Sequence, residues 1–133
     1  MSISVLGISF DARDAASLAH FWAQALHRTV NAGATEDFAS IGADTDGRLG
    51  GLLMFHKVPE GKTTKNRVHF DLQAAHVLAE ADRLTSLGAQ QIRSLAENNN
   101  RWINLRDPED NEFDLLAICR AGGRPPAAAQ GGD

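Results

Sequence analysis

The sequence predicts an α+β domain built from two tandem copies of a strand, a helix and further strands, and three observations predict it. Period-two alternation of apolar residues marks short strands, stripes at helical spacing mark two helices, and the order of elements in the first half of the chain recurs in the second. With 133 residues, 43% hydrophobic and 23% charged, the chain has the composition of a globular protein and the length of one domain. Two copies must therefore share a core.

In the first half, Ser2 to Asp11 alternates Ile3, Val5, Ile8 and Phe10 with small or polar residues, with one slip at Leu6-Gly7, and reads as a strand. Asp14 is a helix N-cap by residue type. Ala15, Leu18, Ala19, Trp22 and Leu26 follow at helical spacing, which predicts a helix over 14–26 with that stripe, Trp22 included, in the core. Three short strands come next, Arg28 to Asn31, Phe38 to Ile41 and Leu49 to Lys57, separated by Gly33 and by the turn-rich Asp44-Thr45-Asp46-Gly47. Val58 to Asn66, polar and carrying Pro59 and Gly61, is the candidate boundary, which gives modules of about 1–57 and 67–118.

The order then repeats. Arg67 to Gln73 alternates as a strand, and Ala74, Leu78, Ala81, Leu84 and Leu87 form a second helical stripe that Gly88 ends as a C′ residue. Strands follow at Ala89 to Arg93, Arg101 to Arg106 and Glu112 to Ile118, the last two joined by the turn Asp107-Pro108-Glu109-Asp110-Asn111. Phe10-Asp11, Ala15, Leu18 and Ala19 recur as Phe70-Asp71, Ala75, Leu78 and Ala79, all at one constant offset along the chain. The tail 119–133, rich in Ala, Gly and Pro, reads as disordered.

A net charge of −4 with no basic block argues against a nucleic-acid partner, since phosphate backbones are held by clustered Lys and Arg. Lys57, Lys62, Lys65 and Arg67 are interrupted by Pro59, Glu60 and Gly61 and read as a solvated loop. The longest apolar runs are too short to span a bilayer and Met1-Ser2-Ile3-Ser4 opens no leader, so the expectation is a cytoplasmic protein without membrane contact. The lone Cys119 has no internal partner for a disulfide, in keeping with a reducing compartment.

Strand parity nominates the residues that face away from the helices. Val68, Phe70 and Leu72 share one face, and Arg67, His69 and Asp71 the other. The same rule sets Trp102, Asn104 and Arg106 against Ile103 and Leu105, and Glu112, Asp114 and Leu116 against Phe113, Leu115 and Ala117. In the first half it groups Val5, Gly7, Ser9 and Asp11, and separately Leu52, Met54 and His56.

Several runs together make the chain, up to about Ile118, resemble the glyoxalase/bleomycin resistance/extradiol dioxygenase (vicinal oxygen chelate) superfamily, and within it glyoxalase-like proteins of actinobacterial type. They are Asp14 to Trp22, Val58-Pro59-Glu60 leading into Lys65-Asn66-Arg67-Val68-His69-Phe70-Asp71-Leu72, and Trp102 with Asp107-Pro108-Glu109-Asp110-Asn111-Glu112-Phe113. The resemblance implies a pair of βαβββ modules forming a curled mixed sheet around a cavity, a small-molecule ligand, and pairing of two chains as a homodimer.

Metal-binding members of that superfamily take His and Glu ligands from the first and last strand of each module. By that resemblance His69 stands at the His position and Asp114 where the carboxylate is expected, whereas the first strand of the first module offers only Gly7 or Ser9. With His56 substituting from the last strand of that module, the candidate metal set is His56, His69 and Asp114, the ligand types of a two-His, one-carboxylate site. The competing reading makes His69 a hydrogen-bonded pocket residue beside Asp71 or Asp114, able to act as a general base without a metal. The cofactor is thus none or a divalent metal ion. The candidate catalytic residues are His69 and Asp114, and the candidate ligand-binding residues are Trp102, Asn104, Asp71, Met54 and Ser9. Trp102 offers a flat surface and one N–H, or else packs in a core or a dimer interface. Two functions stand side by side: an enzyme or enzyme-derived pocket, with lyase, isomerase or dioxygenase chemistry unresolved, and a non-catalytic resistance protein that sequesters an antibiotic or other drug. A dimeric scaffold that keeps only the fold is a third.

Overall fold

The computed structural model of the protein describes residues 2–42, 51–97 and 100–117. Within them the chain runs β1 (Ile8–Ala12), α1 (Ala15–Leu26), β2 (Phe38–Ile41), β3 (Leu53–Lys57), β4 (Phe70–Gln73), α2 (Val77–Leu87), β5 (Gln90–Glu97), β6 (Asn100–Arg106) and β7 (Glu112–Ala117). The strands form two sheets, ordered β1-β3-β2 and β4-β7-β6-β5, and the chain divides into two units, Met1–Gly61 and Lys62–Asp133, each with one sheet and one helix. This is the α+β class and the repeated element order that the patterning predicts.

In the first unit β1 pairs parallel with β3, setting Ser9 beside Met54 and Asp11 beside His56, while β2 pairs antiparallel on the other side of β3. Asp14 caps α1 as expected, its carboxylate accepting the Ser17 N–H at 3.1 Å. Ala15, Leu18, Ala19, Phe21 and Trp22 are buried, and Phe10 links helix to sheet, its ring centroid 5.6 Å from Trp22 and 5.1 Å from Phe55. The sheet face away from the helix carries Ser9, Asp11, Ser40, Met54 and His56.

The second unit holds a complete βαβββ module. Its helix buries Val77, Ala81 and Leu84 and closes at Gly88, whose φ of 125° suits only a residue without Cβ. Central β6 is buried on both faces through Trp102, Ile103 and Leu105.

Four sequence expectations are corrected here. The first strand starts at Ile8, and Ile3 (98% exposed), Val5 and Leu6 project into solvent, because alternation without a partner strand leaves no ladder to join. The strand expected at Arg28 to Asn31 reduces to a single bridge between Val30 and Ile41. The strand expected from Arg67 begins at Phe70, leaving Val68 80% exposed. Leu78 is 55% exposed and Ala74 precedes α2, so the buried stripe of that helix starts from Val77 and is rotated from the expected one. The turn at 44–47, Cys119 and the tail lie outside the described residues. Among the described residues no helix is long and apolar enough to cross a membrane.

Candidate functional site

The site grows from the register of three strands in the second unit. β4 runs parallel to β7, placing Asp71 beside Asp114, and β6 runs antiparallel to β7, placing Asn104 opposite Asp114 and Arg106 opposite Glu112. All of these side chains fall on the sheet face away from α2. The β6–β7 register is fixed by the turn between them. There the buried Asp107 accepts the backbone N–H groups of Glu109 (2.8 Å) and Asn111 (2.9 Å), and the Asn111 amide as well. Asp and Asn at these spacings are what such a side-chain-held turn requires.

His69 stands just ahead of β4, and its imidazole reaches the same face. Nδ1 lies 3.3 Å from Asp71 Oδ1 and 3.6 Å from Asp114 Oδ2. Asp114 is only 4% exposed and accepts a hydrogen bond from Asn104 Nδ2 at Oδ1. Burial pushes its carboxyl above the ordinary range, and the neighbouring Asp71 adds to this. The Asn104 hydrogen bond and the charge of His69 offset only part of the rise. Neither approach to His69 Nδ1 completes a hydrogen bond. Among the described residues His69 Nδ1, Asp114 Oδ2, Asn104 Oδ1 and Trp102 Nε1 are buried without a hydrogen-bond partner. A buried polar atom left unpaired costs roughly 1–3 kcal/mol, so several on one face single it out as the candidate site.

The segment ahead of β4 is drawn to this face by Glu112. Its carboxylate accepts from Lys65 Nζ (2.7 Å), Lys62 Nζ (3.0 Å) and the Asn66 N–H (3.4 Å), and Asn66 Oδ1 accepts the Glu112 N–H in return (3.2 Å). Burial raises the Glu112 carboxyl, but the hydrogen bonds and charge of the two lysines outweigh it and hold it at about 2. Lys62 and Lys65 stand in a largely exposed loop, as their spacing suggests, but both are tied to Glu112. With Thr64 they wall a cavity of about 410 Å³ whose other sides include His69, Asn104, Arg106, Glu112 and Asp114. That volume suits a small organic molecule.

The structure thus gathers His69, Asp71, Asn104 and Asp114. Trp102 lies on the same face of β6 but is 3% exposed and outside the cavity lining. Ser9, Met54 and His56 belong to the first unit, where Ser9 Oγ is 3.4 Å from His56 Nε2 and the Phe38 ring centroid is 5.1 Å from the imidazole. The compact group of potential metal ligands within the second unit is His69, Asp71 and Asp114, one atom of each lying within 4.8 Å of the others. One imidazole nitrogen and two carboxylates are donor types that a divalent cation accepts, and two of these atoms, His69 Nδ1 and Asp114 Oδ2, are among the unpartnered ones, so the residues fit such an ion. Sequence reasoning missed the wall formed by Lys62 to Lys65, for which the only signal was Glu112 standing first in its strand.

A family described as glyoxalase-like domain matches residues 7–116. No curated protein matches the chain. Solved structures with similar folds include a glyoxalase/bleomycin resistance protein/dioxygenase family enzyme from Burkholderia phytofirmans, 15% identical, with a TM-score of 0.69 over 86% of this chain and 98% of that one. Another, from Nocardioides and of like description, is 14% identical, with a TM-score of 0.67 over 95% and 91%. A variant of the fosfomycin resistance protein FosX from Listeria monocytogenes, complexed with Mn(II) and 1S,2S-dihydroxypropylphosphonic acid, is 14% identical, with a TM-score of 0.65 over 86% and 90%. At these identities the likeness is one of fold.

Proposed function

We propose, from the premise that this chain belongs to the glyoxalase-like domain family, that it binds a small molecule in the cavity of its second unit and acts on it at a centre formed by His69, Asp71 and Asp114. The observation that carries this reading is the pair of buried, unpartnered atoms His69 Nδ1 and Asp114 Oδ2, 3.6 Å apart on the face that the cavity opens to.

These three side chains would hold a divalent cation. When bound, such an ion acts as a Lewis acid that polarises a ligand oxygen. The surrounding residues do the rest. Asn104 Nδ2 engages Asp114 Oδ1, so the second oxygen of that carboxylate is left aimed at His69. Asn104 Oδ1, itself unpartnered, accepts a donor of the ligand. The bridge from Lys62 and Lys65 to Glu112 holds the covering segment in place and limits access of water. Sequestration of a flat aromatic drug draws less support, because Trp102 is not in the cavity lining and charged and polar side chains dominate it.

Calorimetric titration of chelator-treated protein with Mn²⁺, Zn²⁺, Ni²⁺ and Fe²⁺ tests the reading. Stoichiometric binding of at least one ion, abolished in His69→Ala and weakened at least about tenfold in Asp114→Asn, is the expected result. Binding of none of the four would sink it.

A further inference from the structure

We infer that the ligand of this cavity carries an anionic oxygen group, carboxylate or phosphate-type, held by Arg106, and a hydroxyl or other donor received by Asn104; this deepens the functional reading above and rests on it. Arg106 lines the cavity and stands directly opposite Glu112 in the β6–β7 ladder, where an oppositely charged pair normally forms. It does not form. Both oxygens of Glu112 are taken by Lys62, Lys65 and the Asn66 N–H. Among the described residues no carboxylate makes an ion pair with Arg106, although it is only half-exposed. The cavity lining sets Lys62, Lys65, Arg93 and Arg106 against Asp110, Glu112 and Asp114, and of these carboxylates Glu112 is already answered by the two lysines. A guanidinium presents a planar fork of donors that matches an oxyanion with two parallel hydrogen bonds, which an ammonium does not.

The second half of the inference comes from Asn104, the next same-face residue along β6. Two steps of strand separate its Cα from that of Arg106 by roughly 7 Å, a spacing that one small molecule spans. Its Oδ1 is buried and without a partner, and its Nδ2 is committed to Asp114, so only an acceptor is left for the ligand. The complementary molecule presents a donor there and its negative charge toward Arg106. Short hydroxy acids and hydroxyalkyl phosphates have that chemistry, and neutral or cationic compounds do not.

The test titrates the protein with glycerate, lactate and glycerol 3-phosphate and with the neutral counterparts glycerol and lactamide, following backbone amide shifts by NMR. At least one anion is expected to bind about tenfold or more tightly than the neutral counterparts. That preference is lost in Arg106→Gln and partly kept in Arg106→Lys, with thermal unfolding of both variants reported alongside. Preference for the carboxylates or for the phosphate identifies which oxyanion the site takes. Equal affinity for charged and neutral members, or a preference that survives unchanged in Arg106→Gln, overturns the anion assignment while leaving the cavity reading intact. No binding by any of the five at millimolar concentration overturns both.

Discussion

Replacing Glu112 by Gln tests whether the segment from Lys62 to Asn66 is held to the cavity by charge. The Glu112 carboxyl falls from an ordinary 4.5 to about 2. At about 1.4 kcal/mol per pKa unit, that shift taken whole corresponds to roughly 3 kcal/mol. Lys65 is 45% exposed, so solvent screens part of it, and a loss of about 1–2 kcal/mol is the realistic figure for Glu112→Gln at neutral pH. For a chain of this size that lowers the melting temperature by roughly 5 °C.

The pH dependence sharpens the test. A carboxyl whose folded value is depressed contributes stability that is present above its unfolded value and lost as pH falls through the folded one, here between 4.5 and about 2. Thermal scans of wild type and Glu112→Gln in chelator-containing buffer should therefore differ fully at pH 7 and converge toward pH 2. Exchange of the Asn66 N–H, which donates to the carboxylate, should also be faster in the variant. Equal melting temperatures at pH 7, or a gap that stays constant into acid, would refute the argument that the lysine bridge holds this wall.

Asp114→Asn should show the opposite sign: since burial raises the Asp114 carboxyl, its ionised form costs stability at neutral pH, and the metal-free variant should melt higher. That difference should close as pH falls toward 3.8, the ordinary aspartate value, and be absent below it; a lower melting point at pH 7 would contradict it. Gly7→Ala tests the first unit, where an added Cβ would lie 2.7 Å from the Leu52 carbonyl oxygen at the head of the β1–β3 pair. A loss of roughly 1–3 kcal/mol, read from the urea midpoint, is expected, and an unchanged midpoint would mean that the pair opens there without cost.

The fold was legible where local chemistry and burial agree. Asp14 followed by a small and apolar stripe gives α1 almost to its ends, and the Asp107 to Asn111 turn follows from composition because the turn is held by those side chains themselves. Periodicity misled where identity and burial part company. Leu78 is the repeat counterpart of Leu18, yet Leu18 is 1% exposed and Leu78 faces solvent. The buried Val77, Ala81 and Leu84 of α2 answer Ala15, Ala19 and Trp22 of α1, and they stand further along the chain than the offset from Phe10 to Phe70 would place them. The connection from strand to helix is longer in the second unit, and the buried stripe moves with it. The site was legible as far as strand parity reaches, which set His69, Asp71, Asn104 and Asp114 on one face. Its covering wall was not, because the partner of Lys62 and Lys65 is remote in sequence and only the folded register brings Glu112 beneath them.

Comparison of the two sheet faces that point away from the helices supports the proposed function on one of them. On the first, polar groups largely answer one another: Asn31 Nδ2 donates to Ser40 Oγ at 2.9 Å, and Ser9 Oγ meets His56 Nε2. On the second, Phe70-Asp71 repeats Phe10-Asp11, but the residue ahead of the pair is Ser9 in the first copy and His69 in the second. Beside that histidine, burial has left Asp114 Oδ2 and Asn104 Oδ1 unpaired. A face built only for packing would be better served by apolar side chains at these positions, since replacing the unpaired groups removes their desolvation cost. Their presence on one copy, next to a cavity lined by Arg106, which makes no ion pair among the described residues, supports reading this face as the binding face of the repeat.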